Sequence, residues 1–294
     1  MDVLKKSLLV PTSSSKKPID PIPTVVPTIP LYHDVGDTGK RTLWVVFVIM
    51  LLSTIAFSVL AYRVPVQKRL FHILTAFITT FATISYFAMA SGDGNDYSFI
   101  KTVDNYDVYR QIFYARYIDW SLTTPLLLLD LAFLAGLNGA NIIVAIVADV
   151  IMILTGLFAA FGSTSSQKWG YYAIACIAFL VVIFVLAVTG RRTVAARDSK
   201  VSTFFASISL FTLVIWTIYP IVWGLGEGAQ VIGVDAEIVA YAILDILAKP
   251  VFGFWLLLTH DRVASTNVHL EGAWSNGFGK HEGALRVGDD DEGA

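Results

Sequence analysis

Seven apolar stretches, each near the ~20 residues that a helix needs to cross the hydrocarbon core of a bilayer, follow one another between residues 41 and 259. They are placed at 41–63, 69–91, 107–135, 141–162, 169–190, 201–226 and 235–259, joined by short loops, several of which hold glycine. A backbone in lipid must satisfy its own N–H and C=O groups, and continuous helices do so. The expected fold class is therefore an all-α membrane protein, a seven-transmembrane-helix bundle. Composition agrees, with 55% of the 294 residues hydrophobic and only 15% charged. A net charge of −2 without a long basic run argues against a nucleic-acid partner. The single cysteine, Cys176, excludes an intrachain disulfide or a cysteine-based metal site.

Lysine and arginine in the loops set the expected orientation. Arg63, Lys68 and Arg69 follow the first segment, and Arg191, Arg192, Arg197 and Lys200 follow the fifth, which assigns those loops to the cytoplasm. The loops after the second and sixth segments lean acidic, with Asp93, Asp96, Asp104, Asp107, Glu227 and Asp235. The N-terminus is then extracellular and the C-terminus cytoplasmic. Three regions follow: a proline-rich extracellular arm at 1–40, a seven-helix domain at 41–260 and a cytoplasmic tail at 261–294. The arm carries Pro11, Pro18, Pro21, Pro23, Pro27 and Pro30, and its apolar run at 8–10 is too short for a usual signal peptide. The tail ends in an acidic run at 289–292. His33, His72, His260, His269 and His281 lie at segment ends or beyond, read as surface histidines, and no pair has metal-ligand spacing.

Within the third segment the run RYIDWSLTTPLLLLD carries three ionisable side chains. A charge near the bilayer centre costs roughly 2.5–3.5 kcal/mol on insertion scales, so such residues face a bundle interior and mark a pathway. Arg116, Asp119 and Thr123 share one helical face at spacings of three and four. Asp130 lies about 16 Å further along, beyond four leucines at 126–129. Two carboxylates at different depths suit proton movement in steps. In the seventh segment Glu237, Tyr241, Asp245 and Lys249 recur every four residues. Lys249 has two readings, a buried salt bridge that fixes packing and a desolvated amine available for a Schiff base. Trp216, Tyr219 and Trp223 form an aromatic stripe around Pro220, with Trp120 and Tyr86 on other helices. Together with the interior lysine they describe a narrow apolar slot around a cation.

The runs RYIDWSLTTPLLLLD, WTIYPIVWGLGEGA and LDILAKP resemble the third, sixth and seventh helices of bacteriorhodopsin-like microbial rhodopsins, and the resemblance covers all seven segments. The proline-rich arm and LWVVFVIMLL resemble the fungal opsin branch. The resemblance implies all-trans retinal bound at Lys249 as a protonated Schiff base, with Asp119 (proton acceptor) and Asp245 as counterions above Arg116. It implies that Thr123 hydrogen-bonds the acceptor, that Asp130 is the cytoplasmic proton donor with Thr75 as its hydroxyl partner, and that Glu227 and Glu237 are the extracellular release pair. The implied retinal pocket is Tyr86, Trp120, Thr124, Leu127, Met152, Gly156, Tyr172, Phe179, Trp216, Tyr219 and Trp223, with Asp149 a carboxyl near the ring. Tyr172 stands where bacteriorhodopsin has tryptophan, and Ala175 and Cys176 replace hydroxyl residues. Pro250, directly after Lys249, removes an N–H, leaves the Ile246 carbonyl without its helical partner and predicts a local kink.

Asp-Thr-Asp at 119, 123 and 130 is the family's proton-pump pattern, so the resemblance implies an outward light-driven proton pump, a photoactive transporter and not an enzyme. A chloride pump lacks the acid at 119, a sodium pump shows Asn and Gln in the triplet, and a cation channel places glutamates along a second helix that has none at 70–90. The alternatives are a slow-cycling photosensory rhodopsin and a seven-helix transporter or receptor without retinal. The expected setting is multi-pass in the plasma membrane, with lipid and protons as partners, no metal, and a homo-oligomer left open.

Overall fold

The computed structural model describes residues 29–261. Expectations for 1–28 and 262–294, which include most of the arm, His269, His281 and the acidic run, lie outside the described residues.

Seven helices are long and apolar enough to span a membrane: α1 (Asp37–Arg63), α2 (Leu70–Ser91), α3 (Tyr114–Ala135), α4 (Gly139–Ala160), α5 (Ser165–Val194), α6 (Ser199–Gly228) and α7 (Val234–His260). α1, α4, α5, α6 and α7 begin one to four residues before the apolar windows, and the starts of α4, α5 and α6 are capped by side chains. Asp37 sits in the first turn of α1 and Arg63 in its last, each at the helix end whose partial charge it complements. Side chains of Asn138, Thr164 and Asp198 accept backbone N–H groups at the starts of α4, α5 and α6. Gly92 and Gly136, at φ 96° and 76°, end α2 and α3 in the left-handed conformation, where glycine carries no Cβ penalty.

The third segment differs from expectation. Residues 107–113 are not helical; β2 (Asp96–Val103) and β3 (Tyr106–Ile112) form a hairpin, and α3 begins only at Tyr114. Asp104 and Asn105 both have positive φ, 50° and 66°, as the favoured two-residue hairpin turn requires. Val108, Arg110 and Ile112 point inward while Asp107 faces out, a period of two rather than 3.6. A third strand, β1 (Leu31–His33), pairs parallel with β3, so the sheet order is β1-β3-β2. Tyr97 donates to Asp34 across it at 2.7 Å. That hydrogen bond, with partial burial and the Asp34 charge behind it, pushes the Tyr97 phenol up to about 12.

Within the bundle α3 is the most enclosed helix: 61% of its most apolar window is buried, against 28% for α1 and α4. This is why α3 can carry Arg116, Asp119 and Asp130 at bilayer depth. Leu52, Ile84, Ile143, Ile177 and Leu210 are exposed on the outer faces, a surface that matches hydrocarbon. Three spanning helices contain a π-helical turn, Val185–Gly190 in α5, Gly224–Gly228 in α6 and Leu247–Val251 in α7. The last holds Lys249 and Pro250, so the donor that proline lacks is accommodated by a widened turn.

His72 and His260 are not surface residues. They are 0% and 4% exposed, with rings 6.0 Å apart, and His72 Nε2 lies 3.5 Å from Asp261 Oδ1. The first turn of α2 packs on the last turn of α7, with Phe71 against His260 at 4.8 Å. Packing thus extends past the apolar windows that define the spans.

Candidate functional site

The α7 π turn places the Lys249 amine in the bundle interior, where its Nζ lies 2.8 Å from Asp119 Oδ2 and 2.7 Å from Asp245 Oδ1. The side chain is 2% exposed. Asp245 also accepts from the Tyr86 hydroxyl at 2.6 Å and from the Tyr219 hydroxyl at 2.8 Å. Asp119 is bonded at one oxygen only, since its Oδ1 has no hydrogen bond among the described residues. One carboxylate is therefore tied by three donors and the other by one, which leaves Asp119 the better placed of the two to take a proton. Thr123 donates to the Asp119 backbone carbonyl at 2.9 Å, not to its carboxylate. Its expected bond to the acceptor side chain is thus replaced by a turn of the helix.

Toward the sheet lies a second cluster. Arg116 Nη1 donates to Glu237 Oε1 at 3.0 Å and is 3.8 Å from Glu227 Oε1, and its guanidinium lies 4.2 Å from the Tyr241 ring centroid. Arg110, reaching in from β3, donates to Glu237 Oε2 at 2.7 Å and to the Ile232 carbonyl at 3.1 Å. Glu227 Oε2 accepts the Tyr117 hydroxyl, which in turn accepts from Trp223 Nε1. Both glutamates are buried, at 1% and 3% exposure, so neither is a plain solvated carboxylate. Gly226 makes this approach feasible: a Cβ there would sit 2.5 Å from Glu237 Oε2.

At the opposite end of α3, Asp130 is 0% exposed and neither carboxyl oxygen has a hydrogen bond among the described residues. Buried Leu127, Leu128, Leu131 and Leu134 share its helix. Thr75, its expected partner, donates instead to the Phe71 carbonyl at 2.7 Å.

An apolar cavity leads away from Lys249 and Asp245. Trp216, Tyr219 and Trp223 of α6 line it, with Trp120, Thr124 and Leu127 of α3, Met152 and Gly156 of α4, and Tyr172 and Phe179 of α5. Tyr172 stacks on Trp223, with centroids 4.8 Å apart and planes at 15°, and donates to the Pro220 carbonyl at 3.0 Å. Two expected pocket residues stand behind the wall: Tyr86 on Asp245, and Asp149, whose Oδ2 is 2.6 Å from the Thr124 hydroxyl. A long apolar slot closed by an amine between two carboxylates fits a polyene aldehyde, which would give the amine an imine partner and fill a wall built of rings.

Residues 38–263 match the family described as bacteriorhodopsin-like protein. The chain belongs to that family. Opsin-1 of Neurospora crassa is 50% identical over 290 residues, 95% of each chain. The opsin-like protein carO of Fusarium fujikuroi is 44% identical over 79% of this chain and 76% of its own. Among solved structures, the light-driven proton pump LR (Mac) from Leptosphaeria maculans superposes with a TM-score of 0.77 at 53% identity, covering 81% of this chain and all of that one. The protein is thus a microbial rhodopsin of the fungal opsin branch and an integral multi-pass membrane protein.

In this rhodopsin Asp119 of α3 meets Lys249 of α7, Arg116 joins Glu227 to Glu237, and Asp130 stands apart from both clusters. Arg110, Tyr117 and Lys168 were not anticipated. Tyr117 adjoins Arg116 in sequence, and Lys168 Nζ caps the Glu227 carbonyl at 3.1 Å. The signal for Arg110 was the alternation of Val108, Arg110 and Ile112, a strand pattern set inside what reads as the start of an apolar helix.

Proposed function

We propose that this rhodopsin is a light-driven outward proton pump of the plasma membrane that binds all-trans retinal through Lys249. The observation that supports it is the placement of the Lys249 amine between a loosely held Asp119 and a firmly held Asp245, at the mouth of an aromatic cavity. LR (Mac) and the Coccomyxa subellipsoidea rhodopsin are both described as light-driven proton pumps, which supports the same reading. Bound retinal, as a protonated imine, would supply light absorption and an isomerisation that displaces the imine proton. The protein's own groups then account for direction. Asp119, with one oxygen free of hydrogen bonds, accepts the proton. Asp245 keeps its charge because Tyr86 and Tyr219 hold it, so a negative group remains to attract the amine end. Neutralising Asp119 leaves Arg116 freer to favour Glu227 and Glu237, between which it already bridges, and the pair delivers a proton on the sheet side. Asp130, with no hydrogen-bond donor among the described residues, is held as a neutral acid and resupplies the site from the other side. Moving one charge against 100 mV requires about 2.3 kcal/mol, far below the energy of a visible photon. The loop charges orient the sheet side outward, with 1–40 outside and 261–294 inside.

Illumination of intact cells that make the pigment is expected to acidify the medium, and a protonophore is expected to abolish the change. A pigment that absorbs visible light and cycles without acidification would replace the pump with the photosensory reading.

A further inference from the structure

Arg110 makes the two buried glutamates unequal. Glu237 has a guanidinium on each oxygen, Arg110 at 2.7 Å from Oε2 and Arg116 at 3.0 Å from Oε1. Glu227 has neither at hydrogen-bond distance. Its Oε2 accepts from Tyr117, and its Oε1 has no hydrogen bond among the described residues, with Arg116 3.8 Å away. Lys168, from α5, reaches only the Glu227 backbone carbonyl, and Tyr241 of α7 offers its ring face to Arg116. Protonating Glu237 would break one of two charge-assisted hydrogen bonds and leave two buried guanidiniums short of an anion; protonating Glu227 at Oε1 gives up only the longer 3.8 Å ion pair with Arg116 and keeps both of those hydrogen bonds.

We propose that Arg110, reaching in from the β3 strand, holds Glu237 as a permanent carboxylate, so that Glu227 alone of the pair gains and loses a proton. The O–H bond that breaks on release is then on Glu227 Oε1; the electron pair stays on that oxygen and the proton passes to outside water. The inference deepens the pump reading, on which the word release depends, yet the asymmetry can be measured without light.

The experiment is a pH titration of the unilluminated full-length pigment followed by infrared carboxyl absorption, in the unchanged chain and in single and double variants whose visible band shows that they fold. One carboxyl transition is expected to vanish in Glu227→Gln and persist in Glu237→Gln. Arg110→Gln is expected to add a second transition, absent in Arg110→Gln with Glu237→Gln, while Arg110→Lys adds none. A transition lost in Glu237→Gln, or no new one in Arg110→Gln, overturns the proposal. Should Arg110→Gln fail to form pigment, the two glutamate variants decide alone. If the unchanged pigment releases no proton in light, the pump reading fails while the dark titration still settles the asymmetry.

Discussion

Asp119 and Asp245 share one cation but differ in what else holds them, and the difference predicts opposite failures on substitution. Asp119→Asn loses one hydrogen bond to Lys249; it is expected to keep a shifted visible band and to abolish light-driven acidification. Asp245→Asn disturbs the acceptor of Tyr86, Tyr219 and Lys249 together. With about 1–3 kcal/mol for each buried donor left unsatisfied, it is expected to bleach at a clearly lower temperature in the dark than Asp119→Asn, as thermal loss of the visible band would report. Asp130→Asn removes a positioned acid, and recovery of the unilluminated state in flash photolysis is expected to slow about 10²-fold or more. Asp119 and Asp130 were legible as acids within one apolar segment and Asp245 as part of a four-residue repeat with Lys249, and their roles came from the family resemblance. Their exact bonds were not: Thr123 and Thr75 each turn back to a carbonyl one turn earlier, a choice that residue type and spacing leave undetermined.

Elements were legible where a long apolar run allowed only one solution and illegible where two periods overlapped. The seven spans follow from length and polarity, but β3 borders α3 and contributes apolar residues of its own, so a strand read as the first turns of a helix, and Arg110 was lost with it. His72 and His260 were misjudged for a related reason, because apolar windows stop before the packing does. The sheet makes its own prediction. The Tyr97 phenol is raised to about 12 by its bond to Asp34, so the proton is held more tightly in the folded state than in the unfolded one. The stability it contributes is complete below pH ~10, the ordinary tyrosine value, and is lost as pH rises through about 12. In an ultraviolet tyrosinate titration, Tyr97→Phe is expected to remove one late-titrating group. Pro250 sits in the π turn with Lys249; Pro250→Ala restores an N–H and lets that turn tighten, and altered flash-photolysis kinetics with pigment retained are the expected result. Unchanged kinetics would show that the widened turn is kept by its neighbours.

Across the whole molecule the four groups to which the proposed pump assigns a proton are divided between two kinds of helix. Asp119 and Asp130 stand on α3, which among the described residues is an uninterrupted α-helix, while Lys249 and Glu227 each lie inside a π turn, one in α7 and one in α6. A π turn holds one residue more than the turn it replaces, and such turns are frequent at functional sites. The first four spans have no such surplus, and the last three have one each. Lys249 and Glu227 thus sit in widened turns, whereas Asp119 and Asp130 sit in regular α-helix. A displaced amine can be accommodated by rearrangement of the widened turn that carries it, while Asp119 stays on a helix without one. Amide hydrogen exchange under continuous light should therefore quicken along α5, α6 and α7 and leave α1 to α4 close to their dark rates.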